Sequence, residues 1–333
     1  MLTRSLPGRA GPWRIGGATV VATAEEAEDL EPLERLLAGF SRAAEADAAA
    51  WQVVLRRRPP RMTAAAGRRG QLLSGEPYLA HLGRHRRFLV DGRLALAIDP
   101  GRRRALCRLA PDGAALLAGE SGLIVVDAIV ERQGQHMVHA AMLALPPALG
   151  EGCLLLLGDS GAGKTTTALA LALGGFALGG DDAAILCGTP AGVAAWALPR
   201  RLKIHREVAG LLPALASQLN QDSEESAHDA AALAGLLNLL RPPDHALPLR
   251  ALCWLGPRSA GGHSHRVLPP IEVLARLASH DLHAPLGRVD GAVERQLALF
   301  ADAARQVAGF ELSLGRDLPG LAVWLTALLA TAR

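Results

Sequence analysis

The sequence predicts an α/β protein in two parts: a smaller N-terminal α+β domain over 1–118 and a larger α/β domain over 119–333. Three observations predict it. The first is a five-residue apolar run at 153–157 that leads through a glycine-rich loop into an alanine-leucine helix. The second is the alternation, further on, of short buried strands with helical stretches. The third is the texture of the first third, where candidate strands are parted by Pro, Gly and Asp-Gly turn signals.

In the N-terminal part the expected strands are 13–22, 51–56, 87–98 and 105–109. Residues 24–49 are rich in Ala, Glu and Leu and free of Pro except Pro32, so one or two helices fit there. From Gly119 a helical stretch is followed by apolar segments at 137–145 and 152–157. Further strands are expected at 183–186, 192–198 and 249–255, with helices at 227–240 and 270–278. The tail predicts a helix at 292–308, a strand at 310–314 and a closing helix from Pro319. There is no internal repeat.

With 333 residues, half of them apolar, the chain has ample material for a buried core. A formal charge of only +3 gives no general basicity, so no nucleic-acid partner is expected. Cys107, Cys153, Cys187 and Cys253 are scattered in or beside apolar runs and read as reduced core residues. The first residues carry positive charge without an apolar segment behind it, so a secretory signal is not expected and the expected setting is cytoplasmic. The apolar stretches 153–157 and 321–330 fall short of the roughly 20 residues of a membrane span, so no membrane partner is expected.

The chemistry is concentrated in Gly158-Asp159-Ser160-Gly161-Ala162-Gly163-Lys164-Thr165-Thr166, a full P-loop pattern with a strand before it and a helix after it. Glycines let the backbone wrap phosphate, so that successive N–H groups and the helix N-terminus face negative charge. On this reading the segment binds ATP or another nucleoside triphosphate, Lys164 reaches the β- and γ-phosphates, and the Thr165 hydroxyl is a Mg²⁺ ligand. Seventeen positions after Lys164 stands Asp181-Asp182, just before an apolar strand. Side chains alternate along extended chain, so one Asp can face metal and the other an acceptor hydroxyl.

These residues resemble HPr kinase and its stand-alone relatives, the HPr-kinase-like serine kinases, which include enzymes that phosphorylate ribosomal peptides such as lasso peptides. The resemblance is carried by Val138-His139-Ala140-Ala141, by the glycine loop, and by Gly175-Phe-Ala-Leu-Gly-Gly-Asp181-Asp182; it covers about 119–210, including Leu198-Pro-Arg-Arg-Leu-Lys203. It implies a P-loop kinase domain of the HPr kinase/PEP carboxykinase-like type. It also implies His139 near the transferred phosphoryl group, Asp181 on Mg²⁺ and Asp182 as base toward a Ser or Thr hydroxyl of a peptide or protein. The two Asp roles are interchangeable here, and His136 competes with His139. Where HPr kinase proper has Ser-Glu after the loop lysine, this chain has Thr165-Thr166, which points to a relative with another acceptor rather than a bifunctional HPr enzyme.

Arg200 and Lys203 (with Arg201) follow an apolar strand and a Pro, where cations can neutralise phosphoryl charge. His263-Ser-His265 has a metal-ligand spacing but no third ligand nearby and reads as an exposed hairpin. The arginine runs 56–58, 84–87 and 102–104 read as solvated charge at strand ends, and the acidic segment 222–225 as a lid or docking loop. A regulatory module that binds nucleotide without phosphotransfer, a small-metabolite kinase, and self-association into a homo-oligomer all stay open at this stage.

Overall fold

The structure is a computed structural model; it describes residues 8–62, 67–72, 74–82, 85–198, 202–205, 207–218, 225–228, 233, 235–240, 245–281 and 292–331. The protein is mixed α/β with two large sheets. Two units can be told apart, Met1–His136 with Ala284–Arg295 and Met137–His283 with Gln296–Arg333.

The first unit carries an eight-stranded sheet made of β1 (Gly8–Ile15), β2 (Ala18–Ala24), β3 (Trp51–Arg57), β4 (Arg68–Gln71), β5 (Pro77–Leu82), β6 (Arg86–Val90), β7 (Leu94–Asp99) and β8 (Arg104–Leu109). Their order is β1-β2-β3-β8-β7-β6-β5-β4. Because β2 and β3 are parallel, the chain between them must cross over, and it does so through a 3-10 turn at Ala27–Leu30 and helix α1 (Glu31–Leu37). Period-2 burial puts Phe88, Leu96, Cys107 and Leu55 in one cross-strand row of the buried face. That face also carries Arg86, whose guanidinium meets Glu131 of helix α2 (Glu120–Glu131), so α2 lies over it.

Two expected strands are in fact hairpins. The span 13–22 turns at the two residues Gly16-Gly17 between β1 and β2, and 87–98 turns over the three residues Asp91, Gly92 and Arg93, of which Asp91 and Gly92 stand at positive φ (47° and 64°). Of the helical region 24–49 only the stretch to Leu37 is helical. Strands β4 and β5 were not expected.

The second unit's sheet has nine strands: β9 (His136–Val138), β10 (Ala141–Ala144), β11 (Cys153–Leu157), β12 (Ala177–Gly180), β13 (Ala184–Thr189), β14 (Gly192–Ala197), β17 (Leu247–Leu255), β18 (Ser264–Leu268) and β19 (Ala308–Ser313). A separate pair is formed by β15 (Leu202–His205) and β16 (Glu225–His228). Strand β11 is buried along its whole length and lies parallel to β17, which is in turn parallel to β19. One face packs on α3 (Lys164–Leu173) and α7 (Leu321–Thr331) through Leu154, Leu156, Leu169 and Leu325. The other packs on α5 (Pro270–Asp281) and α6 (Ala292–Gln306) through Leu155, Trp254, Leu277 and Phe300. A strand covered on both faces reads as an uninterrupted apolar run, as 153–157 does. The short helix α4 (Val208–Leu211) completes the set.

The expected helix at 227–240 is not one where it is described: 227–228 belong to β16, and 235–240 run as turn and bridge. Residues 229–232 and 234 lie outside the described residues, as do 222–224 of the acidic segment. The apolar span 137–145 is broken at His139-Ala140 into β9 and β10. His263 is tied into the fold: Gly315 N–H donates to its Nδ1 at 3.1 Å, so Nε2 donates to the Asp317 carbonyl at 2.8 Å. The four cysteines are buried and unpaired, and burial pushes the Cys107, Cys153 and Cys253 thiols up to about 12. No helix of the described residues is long and apolar enough to cross a membrane.

Candidate functional site

Strand pairing gathers the chemistry at one edge of the second sheet. Strand β10 is antiparallel to both β11 and β12, and β17 is parallel to β11. The carboxyl ends of β11, β12 and β17 and the amino end of β10 therefore meet. From those ends emerge the loop 158–163, Asp181-Asp182, the turn from Gly256 to Arg258, and His139. In α/β sheets the crevice outside the carboxyl ends of the strands is where ligands bind.

The loop leaves β11 at Gly158 (φ 142°) and enters α3 through Gly163 (φ 92°), backbone that an L side chain rarely adopts. Ala162 N–H closes a turn on the Asp159 carbonyl at 3.1 Å, and Asp159, Ser160 and Gly161 are exposed. Gly163 is the N-cap of α3 and has no side chain to cap it, so the first-turn N–H groups point at the loop. Lys164 is 7% exposed; its ammonium donates to the carbonyls of Gly158 at 2.7 Å and Asp159 at 3.0 Å. The lysine thus folds back across the loop. A cation and uncapped backbone donors at a helix N-terminus are groups that favour an anion.

Beside it, the Thr165 hydroxyl donates to Asp181 Oδ2 at 3.1 Å, and Asp181 is 6% exposed. A hydroxyl and a carboxylate are the hard oxygen donors that Mg²⁺ takes when substrate phosphates and water fill the remaining positions. Among the described residues no group of three His, Cys, Asp or Glu could hold a metal unaided. Thr166 is half-buried in the same helical turn. His139 Nδ1 lies 2.9 Å from the Asp182 carbonyl oxygen, so it carries the proton there, and 3.3 Å from Asp182 Oδ1. Both side chains are about half exposed, so the pair faces solvent. His136, weighed against His139, is buried on β9.

The other expected cations are placed less fully. Arg200 and Arg201 lie outside the described residues, and Lys203 is a backbone partner of Ala227 in the β15–β16 pair. Two residues not expected from the sequence flank the loop instead. Arg258 Nη2 lies 3.9 Å from where a Cβ would stand on Gly163, and His280 Nδ1 lies 3.8 Å from Asp159 Oδ1. Arg258 is exposed and makes no ion pair among the described residues. Its placement follows from β17 being the parallel neighbour of β11, which no local pattern announces.

No family model matches the chain, and no curated protein matches it. Among solved structures, the HPr(Ser) kinase/phosphatase from Coxiella burnetii is similar at 13% identity, over 59% of this chain and 95% of that one, with a TM-score of 0.32. At that score the likeness carries no argument, and the site stands on its own geometry.

Proposed function

We propose that this chain is a Mg²⁺-dependent kinase of the HPr-kinase-like P-loop type, moving the γ-phosphoryl group of ATP to a Ser or Thr hydroxyl of a peptide or protein. The observation that carries the reading is the convergence, at one sheet edge, of the glycine loop with Lys164, the Thr165–Asp181 pair and the Asp182–His139 pair. Each supplies one requirement of phosphoryl transfer: a phosphate cradle, hard oxygen donors, and a carboxylate positioned for a proton.

In this reading the backbone from Gly158 to Gly163, with Lys164, holds the phosphates. Thr165 and Asp181 would hold Mg²⁺, which would supply neutralisation of phosphate charge. Asp182 accepts the acceptor's hydroxyl proton. The freed oxygen bonds to γ-phosphorus as the bond from that phosphorus to the β–γ bridging oxygen breaks, and ADP leaves. His139 orients the Asp182 carboxylate through its Nδ1 side. The second unit, which carries the glycine loop and both Asp residues, forms the catalytic part, and the first unit is left for the acceptor.

The test is incubation of purified protein with γ-labelled ATP, Mg²⁺ and a library of Ser/Thr peptides, beside Lys164→Ala. Label on a peptide that is lost in the variant supports the kinase, and Asp182→Asn should then lower transfer by about 10²–10⁴ while nucleotide binding persists. Tight ATP binding with no transfer to any peptide or metabolite hydroxyl would sink the kinase reading in favour of a regulatory module.

A further inference from the structure

The arginine runs of the first unit are divided by strand alternation between two faces of its sheet. On the buried face and its margin three cations are matched, while Arg68, at the sheet's edge in the Phe88 row, is exposed. Arg57 bonds Asp29 at 3.0 Å and also meets Glu28, Arg58 meets Glu25 at 3.1 Å, and Arg86 meets Glu131. The opposite face is different. There Arg69, Leu79, Leu89, Ala95, Arg108 and Arg56 stand in register, one from each of β4, β5, β6, β7, β8 and β3. The next row brings His81 opposite Arg87, and then Ala97, Leu106 and Val54. Arg104 stands beyond them, between Asp99 and Gln52.

Arg56, Arg69, Arg87, Arg104 and Arg108 are exposed, and their side chains make no ion pair or hydrogen bond among the described residues. Asp99, the carboxylate in these rows, is already approached by His85 at 3.5 Å and Arg102 at 3.7 Å. Arg56 and Arg108 are direct cross-strand neighbours, on strands spaced by about 4.8 Å. Like charges in that position repel, and an exposed sheet normally places opposite charges there.

We propose that this face of the first unit's sheet is a docking surface for an acidic peptide segment. From Arg69 to Arg56 the row crosses strands spaced by about 4.8 Å, a span of roughly 24 Å that about eight residues of extended chain would cover. The floor between the cations is aliphatic, from Leu79, Leu89, Ala95, Ala97 and Leu106, and suits the methylenes of Glu. No Phe, Tyr or Trp stands in these rows and His81 is their one ring, too few to stack successive bases, which favours a peptide over single-stranded nucleic acid. Guanidinium groups bind carboxylates in forked pairs, so the fit is to Asp and Glu side chains in particular. The inference is independent of the nucleotide site.

The test uses the whole chain and a fluorescein-labelled Asp/Glu decapeptide, read by fluorescence anisotropy at rising salt, with a neutral Ser/Gln decapeptide and a single-stranded RNA of matching charge as comparators. The acidic peptide should bind, salt should weaken it, and Arg56→Gln/Arg108→Gln should lose about tenfold or more in affinity. Arg35→Ala, which removes an exposed arginine already paired with Glu31, should leave binding unchanged. Removing a like-charge pair should not lower the melting temperature. Arg104→Gln alone should shift affinity in the same direction as the double variant. Absence of binding at low salt, unchanged affinity in the arginine variants, or tighter binding of the RNA than of the peptide would each overturn the proposal.

Discussion

Thr165→Val probes the candidate site with little change of shape. Both residues are β-branched and have near-equal helix propensity, so α3 should keep its first turn. What is lost is the hydroxyl that bonds Asp181 at 3.1 Å, on a carboxylate 6% exposed. A hydrogen bond to a charged group contributes about 1.5–3 kcal/mol, and because Thr165 is half-buried and water can replace part of it, a loss of about 1–2 kcal/mol is expected. In a unit of this size that lowers the melting temperature by roughly 2–8 °C, readable by calorimetry on the ligand-free protein. If the same pair holds Mg²⁺, ATP affinity in excess Mg²⁺ should also fall at least about tenfold, while affinity for metal-free ATP in chelator stays as in wild type. A fall in melting temperature with unaltered Mg²⁺ dependence would show the pair to be structural only. No change in either would refute the reasoning altogether.

Arg258→Ala should weaken ATP binding by about three- to tenfold, more at low salt, and Arg258→Lys should restore part of it; titration with a fluorescent nucleotide decides this, and wild-type affinity in the alanine variant would remove Arg258 from the site. Glu131→Ala leaves Arg86, 1% exposed, without its nearest carboxylate, and urea unfolding should show a loss of about 3–5 kcal/mol, with a loss under about 1 kcal/mol counting against a buried pair. Glu272 is held down to about 2, from 4.5, by its hydrogen bond to Arg266 on β18, despite some opposing desolvation, and with help from Arg276. A carboxyl with a depressed value contributes stability that is complete above 4.5 and disappears as pH falls through 2, so melting temperature should drop across that window and Glu272→Gln should flatten the drop. With thiols raised to about 11–12, iodoacetamide at neutral pH should leave Cys107, Cys153, Cys187 and Cys253 unmodified in the native protein and label them after unfolding, as mass spectrometry would show.

The parts legible in the sequence are those whose signal is local. The run 153–157 with its glycine loop declares β11 and the start of α3, and apolar periodicity gives α5, α6 and α7 within a few residues. Strand β12 is different. Ala177–Gly180 has two glycines and low strand propensity, and it becomes a strand because β10 pairs with it and because Gly179 lets it approach Ala197, whose Cβ lies 2.8 Å from where a Cβ would stand on Gly179. Tertiary pairing overrides propensity there. The motif residues Lys164, Thr165, Asp181 and Asp182 could be named from the chain alone, but their meeting depends on β10 lying between β11 and β12. Arg258 depends on β17 lying on the other side, and so has no local sign at all.

The arginines of the first unit show why a run of like charge cannot be read as one feature when it lies on a strand. A period of two sends neighbouring residues to opposite faces, so Arg56 and Arg57, adjacent in the chain, meet different surroundings: Arg57 is held by Asp29 and Glu28, and Arg56 faces Arg108. Arg86 and Arg87 divide in the same way, one against Glu131 and the other opposite His81. A net charge of +3 averages these faces together and hides the polarity between them. Glu131 is spent on Arg86, buried where desolvation makes an unpaired cation costlier, and Glu28, Asp29 and Glu25 are spent on Arg57 and Arg58. The cations left over on the exposed face are therefore the part of the charge distribution still open to selection by a partner, and there composition, the weakest of the sequence signals, becomes informative once the register is known.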